Sequence, residues 1–141
     1  MLDGAAMRPA PHLDRQELLA IFAGGFIGAI ARGALEQSLK VDADRWPWAT
    51  FTANIVAALA LGYFVARLQE RLPPSSYKRA FLATGVCGAL STFSTMMVEL
   101  LEMIEGAHWM LALGYAAASI ACGLAAIFVT TKLVRRVRLS A

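Results

Sequence analysis

The sequence predicts an all-α integral membrane protein with four transmembrane helices, from its composition, the clustering of its charges and the length of its apolar windows. Of 141 residues 58% are apolar and 16% charged, against about 25% charged in an average soluble domain. The charged residues gather between four long apolar stretches, as in membrane spans. A water-soluble fold of this length would lack the polar surface to cover four such helices. The length allows one domain.

The spans are expected at about 18–35, 49–66, 80–98 and 109–131, each near the ~20 residues that cross hydrocarbon as a helix. Helix is required because lipid cannot satisfy backbone N–H and C=O groups, and these windows are too long and too unalternating for barrel strands. Trp46, Trp48, Tyr77 and Trp109 fall at or beside span ends, where amphipathic rings settle among headgroups. Arg45-Trp46-Pro47-Trp48 thus reads as an interfacial turn entering the second span. Residues 1–17, with Pro9 and Pro11, read as a flexible extension, and 132–141 as a basic cytoplasmic tail. A cleaved signal peptide does not fit the long polar lead. Cys87 and Cys122 lie within spans and read as packing residues, not a disulfide or metal pair.

Ten basic residues (Arg8, Arg15, Arg67, Arg71, Lys78, Arg79, Lys132, Arg135, Arg136 and Arg138) fall on one side of these spans, and Lys40 and Arg45 on the other. This asymmetry places both termini in the cytoplasm. The basic tail suits an anionic leaflet and needs no nucleic acid to explain it.

The third span carries the most chemistry. Its run Gly85-Val86-Cys87-Gly88-Ala89-Leu90-Ser91-Thr92-Phe93-Ser94-Thr95 places two glycines just before a dense hydroxyl cluster. A helix break near mid-membrane is expected there, tolerable only where the freed backbone faces protein, an ion or water. Two readings of the hydroxyls stand: close helix packing with bonds to i−4 carbonyls, or an ion path. Asn54, in the second span, must face protein or a pore, because its amide would be costly in lipid. Arg32, near the end of the first span, either snorkels, bonds a helix break or attracts an ion, and Glu99 closes the third span. Gly24 with Gly28, and Ser119 with Gly123, form small-residue contact faces. Four helices do not readily enclose a private pore, so ion passage would use an oligomeric interface, most simply a dimer. Two other classes compete: a four-span multidrug exporter, which needs a carboxylate within the first span where this chain has Arg32, with Glu36 just outside it, and a non-transport membrane subunit. No catalytic constellation or P-loop is present, so an enzyme is not expected.

Gly24-Gly25-Phe26-Ile27-Gly28-Ala29-Ile30-Ala31-Arg32, Thr50-Phe51-Thr52-Ala53-Asn54 and the Gly85–Thr95 run followed by Glu99 together resemble the Fluc (CrcB) fluoride channels, in order and spacing over 18–131. The resemblance implies an antiparallel dimer in the bacterial plasma or inner membrane, with two pores that passively export fluoride, and a structural Na+ at the dimer interface. By the same resemblance Asn54, Phe93, Met96 three positions on along the same helix face, Ser91, Thr92, Ser94, Thr95, Tyr115 and Ser119 line the fluoride pore, Arg32 and Glu99 are vestibule or structural polar residues, and backbone carbonyls of Gly88 and Ser91 hold sodium. Met96 stands where the family usually has a second pore phenylalanine, Ala89 where it has glycine, and Ser91 where it has threonine. An amide and hydroxyls can replace the water of a small anion, and a ring edge adds attraction. The charge bias further implies a preferred orientation, and with it either a homodimer or pairing with an oppositely oriented homologue.

Overall fold

The computed structural model of the chain describes residues 14–39, 45–68 and 77–139. Those residues form helices and connecting turns, with no strand among them. The predicted extension lies outside the described residues as far as residue 13.

Helix α1 spans Arg15–Ser38 and starts on a true cap: the Asp14 carboxylate accepts from Gln16 N at 2.9 Å, with Glu17 in the first turn complementing the helix dipole. Residues 15–17 therefore belong to the span. Helix α2 is Trp48–Leu68, and it forms with Phe51 N donating to Pro47 O. The third span, Tyr77–Glu105, is two half-helices. We call 77–90 α3; its stretch Ala80–Cys87 is wound as a wide π-helix. Phe93–Glu105 is α4, and Trp109–Leu139 is α5. The expected basic tail is helical to Leu139, within the same helix that carries the fourth span. Each span is long and apolar enough to cross a bilayer, which makes this a multi-pass membrane protein.

Helix α4 closes on a Schellman turn, with His108 N bonded to Met103 O and Ala107 N to Ile104 O. Its left-handed position, φ 60°, falls on Ala107 and not on Gly106 beside it. The methyl group there costs about 1 kcal/mol.

Glycines set how closely α1 meets α3. A Cβ on Gly24 would collide with the Phe81 carbonyl oxygen, and one on Gly28 with the Val86 carbonyl oxygen; a Cβ on Gly85 would lie 2.8 Å from Ile21 O. The backbones touch directly, as the paired glycines of the first span lead one to expect. The wide turn of α3 is what presents its carbonyls to this face. Gly28→Val should accordingly drive α1 off α3 and cost at least ~1–3 kcal/mol, seen as loss of the monodisperse detergent elution peak and a lowered melting temperature. Gly33→Ala, at a site with nothing within 4 Å of its Cβ position among the described residues, should leave both unchanged.

On the other side α2 packs on α5 at Gly62, whose Cβ position lies 3.0 Å from Ile127 O and 3.2 Å from the Thr130 Cβ. The expected Ser119–Gly123 face is not this contact: nothing described lies within 4 Å of a Gly123 Cβ. Two apolar clusters fill the interior, one of Met96, Met103, Ala112 and Tyr115, the other of Ala53, Ala57 and Leu90. The small side chains of the second bring α2 close to the break in the third span. Large apolar side chains point outward, Phe22, Phe26, Met110 and Leu124 among them, which is stable only against lipid or another subunit.

Candidate functional site

The third span breaks at Ser91 and Thr92, both in extended conformation (φ −74°, ψ 150° and φ −145°, ψ 122°). Glycine is not what makes the break; two polar side chains do. Asn54, two turns into α2, accepts from Thr92 N at 2.7 Å and donates to Thr92 O at 3.1 Å, reading both backbone groups of the unwound residue with one amide. The Thr92 hydroxyl then caps α4, accepting from Thr95 N at 3.2 Å while donating to Thr95 Oγ1 at 3.0 Å.

These bonds release two carbonyls. In a continuous helix Thr92 N would donate to Gly88 O and Thr95 N to Ser91 O. Both donors are taken by Asn54 and Thr92 instead, so Gly88 O and Ser91 O lose their intrahelical partners. Gly88 and Ser91 are exposed on this chain. The Ser91 hydroxyl is itself turned back to Cys87 O at 3.0 Å. Asn54, Cys87, Gly88 and Ser91 line a cleft of about 250 Å³ with Ala57, Ala58, Leu61, Ala83 and Ile127.

The two half-helices leave opposite partial charges at the break, negative at the end of α3 and positive at the start of α4. Arg32 balances the first. Its Nε donates to Ala89 O at 3.2 Å and its Nη1 meets the Glu36 carboxylate at 2.9 Å. Of the three roles open to Arg32, bonding the helix break is the one observed. Glu36, placed just outside the first span by sequence, sits within α1, which runs to Ser38.

Beyond the start of α4, Glu99 is half-buried and accepts from the Thr50 hydroxyl and, at 2.7 Å, from the Tyr115 hydroxyl. Tyr115 is fully buried, with the edge of Trp46 against it at a ring separation of 5.5 Å. Ser119 is one turn further along α5. The Trp46 indole N–H and the Ser119 hydroxyl are buried atoms with no hydrogen-bond partner among the described residues.

The sequence-predicted residues therefore divide into three groups. Asn54, Thr92, Thr95, Ser94, Gly88 and Ser91 meet at the break. Glu99, Tyr115 and Ser119 follow along the α4–α5 side. Phe93 and Met96 part company: Phe93 is 70% exposed on the outer face of the chain, whereas Met96 is buried in the cluster with Tyr115. Sequence reasoning missed Thr50 as the partner of Glu99, Glu36 as that of Arg32, and Trp46 over Tyr115. Thr50 was within reach, since it lies four residues before Asn54 on the same helical face. The Trp46 position carries no such signal, because its ring reads equally well as an interfacial anchor.

Chemically the break offers two kinds of ligand. Freed carbonyl oxygens suit a small hard cation, while the uncommitted second N–H of Asn54, hydroxyls and the N-terminus of α4 suit an anion. Residues 19–131 match the family described as "CrcB-like protein, Camphor Resistance (CrcB)". The chain is 56% identical over 129 residues, 92% of its own length and 98% of the relative's, to a protein of Mycobacterium tuberculosis (strain CDC 1551 / Oshkosh) named "Fluoride-specific ion channel FluC 1". It is 58% identical over 125 residues, covering 89% of itself and 95% of the relative, to a protein of that name from Mycolicibacterium paratuberculosis (strain ATCC BAA-968 / K-10). A "Fluoride-specific ion channel FluC 2" of Nocardia farcinica (strain IFM 10152) is 32% identical over 121 residues, 86% of each chain.

Proposed function

We infer that this chain, which belongs to the CrcB-like family, is a fluoride channel and not an enzyme, conducting through pores that a second, antiparallel copy completes. The observation that carries the site is the Asn54 amide locked onto Thr92. It holds the backbone open inside the membrane while leaving one N–H of the same amide available to an anion. Fluoride is small and strongly hydrated, so it enters only where such donors replace its water. Asn54, Phe93 and the Ser91, Thr92, Ser94 and Thr95 cluster form the first part of the path. Tyr115 and Ser119 continue it, with Glu99 holding the Tyr115 hydroxyl. Met96 adjoins the path from within the core.

A second copy is needed because Phe93 lies on the outside of this chain, where its ring edge can meet an anion only in a space closed by another subunit. Gly88 and Ser91 face outward too. Their released carbonyls fit a sodium ion held between two subunits, with Gly88 O and Ser91 O as its ligands. Such an ion would tie the two broken helices together and favour anions nearby by its charge. The basic residues of the termini and of the second loop favour a bacterial plasma or inner membrane orientation with termini inside. That bias leaves a homodimer of unequally inserted chains beside pairing with an oppositely oriented homologue. An exporter is not supported: of the two carboxylates on α1, Glu17 lies in its first turn and Glu36 is held by Arg32.

Fluoride release from liposomes holding the purified protein tests the assignment. Loaded with fluoride and chloride, they should release fluoride on opening a potassium pathway and keep their chloride. Equal release of both ions would contradict selectivity, and release of neither would contradict conduction by this chain alone.

A further inference from the structure

We propose that the cleft between the ends of α2 and α5 binds the phosphate of an anionic phospholipid. Helices α2 and α5 run in the same direction through the membrane and pack at Gly62 against Ile127 and Thr130, so their ends emerge side by side. There Tyr63, Arg67, Leu133 and Val134 enclose a cleft of about 250 Å³. Arg67, exposed, follows Tyr63 by one turn of α2 on the same wall, and Tyr63 is 44% exposed. Leu133, 56% exposed, and Val134 form the opposite wall.

The order of these groups along the membrane normal matches a phospholipid. A guanidinium at the helix end can take a phosphate through paired N–H donors. A tyrosine one turn inside the helix end suits the headgroup boundary, and the aliphatic wall of Leu133 and Val134 suits an acyl chain. Arg136, exposed one turn beyond Leu133 on α5, adds a second positive charge at this end of the helix pair, and basic pockets between spanning helices are where anionic headgroups settle. The described carboxylates on this side are Asp14 and Glu17 at the start of α1, and Asp14 is engaged by Gln16 N and the Tyr77 hydroxyl. Free phosphate would gain nothing from the apolar wall, so a lipid is the occupant proposed. Nothing in this inference depends on which ion the protein conducts.

Native mass spectrometry of the purified full chain, loaded with equal phosphatidylglycerol and phosphatidylcholine, reads the site directly. Phosphatidylglycerol should be retained in preference, Arg67→Gln should lower its retention about fivefold, and Arg67→Lys should restore part of it. Arg15→Gln, which removes the same charge from the start of α1, should leave retention at the wild-type level. The proposal is overturned if the two lipids are retained equally, if Arg67→Gln and Arg15→Gln weaken retention alike, or if millimolar inorganic phosphate strips the bound lipid. Elution and melting of Arg67→Gln in detergent establish that the variant is folded, since Arg67 is exposed and outside both apolar clusters.

Discussion

Asn54→Asp should reduce fluoride efflux from liposomes about a thousandfold. The substitution keeps the size of the side chain and its acceptor for Thr92 N, 2.7 Å away. It loses the donor to Thr92 O, at 3.1 Å, and the remaining N–H that faces the cleft. In their place it sets a carboxylate against a passing anion. Two unit charges about 4 Å apart at an effective dielectric constant near 20 repel by about 4 kcal/mol, and about 1.4 kcal/mol is a factor of ten in rate. Asn54→Ser separates the two losses. It removes the clamp on Thr92 O but keeps a neutral donor, and its efflux should lie between the two. Dimer elution in detergent reports folding independently of transport. A folded Asn54→Asp protein that passes fluoride at the wild-type rate would remove Asn54 from the path.

How far such a site could be read from sequence differs residue by residue. The four spans were legible because lipid leaves a chain with few alternatives to long apolar helices, and the helices differ from them at their ends: α1 gains 15–17 at its start and Glu36, Gln37 and Ser38 at its end. That Asn54 must face protein or a pore followed from the cost of an amide in hydrocarbon. Its partner did not follow, since the Thr92 backbone becomes available only once the third span is broken. The break was expected just after Gly85 and Gly88, and it falls at Ser91 and Thr92, where Asn54 and the Thr92 hydroxyl take the donors that would have continued the helix. Gly85 serves instead as the contact for Ile21 and Gly24 of α1. The π-wound stretch Ala80–Cys87 had no sequence signal. The α1 backbone lies against its carbonyls at Gly24 and Gly28, a tertiary contact that local propensity does not encode.

Arg32 shows how such ambiguity resolves. Snorkelling, ion attraction and bonding a helix break are all consistent with one arginine near a span end. The Ala89 carbonyl bond and the Glu36 ion pair supply the missing information, and with them Arg32 becomes the cap of a half-helix whose last carbonyls lie within the membrane. Met96 is the converse case. Three residues after Phe93, it was expected to share its face, but the turn of α4 that exposes Phe93 carries Met96 into the cluster of Met103, Ala112 and Tyr115. A flexible thioether fills that interior gap well.

Phe93→Ile should leave the chain folded and lower fluoride efflux about tenfold. Phe93 begins α4, directly after the Thr92 cap, and 70% of its surface is free on this chain. A ring so exposed contributes little to the packing of its own subunit, so isoleucine there should change chain stability by no more than about 0.5 kcal/mol. What isoleucine cannot supply is the positive edge of the aromatic quadrupole, worth about 0.5–1.5 kcal/mol in a favourable geometry and hence up to about tenfold in rate if the edge meets the ion at the barrier. Phe93→Tyr retains the edge and should conduct far better than isoleucine. A purely steric role predicts the reverse order, because isoleucine is smaller than phenylalanine and tyrosine larger, which makes the ranking of the two variants decisive. If Phe93→Ile instead loses the dimer peak while its monomer remains folded, the ring is a subunit contact and the anion path passes elsewhere.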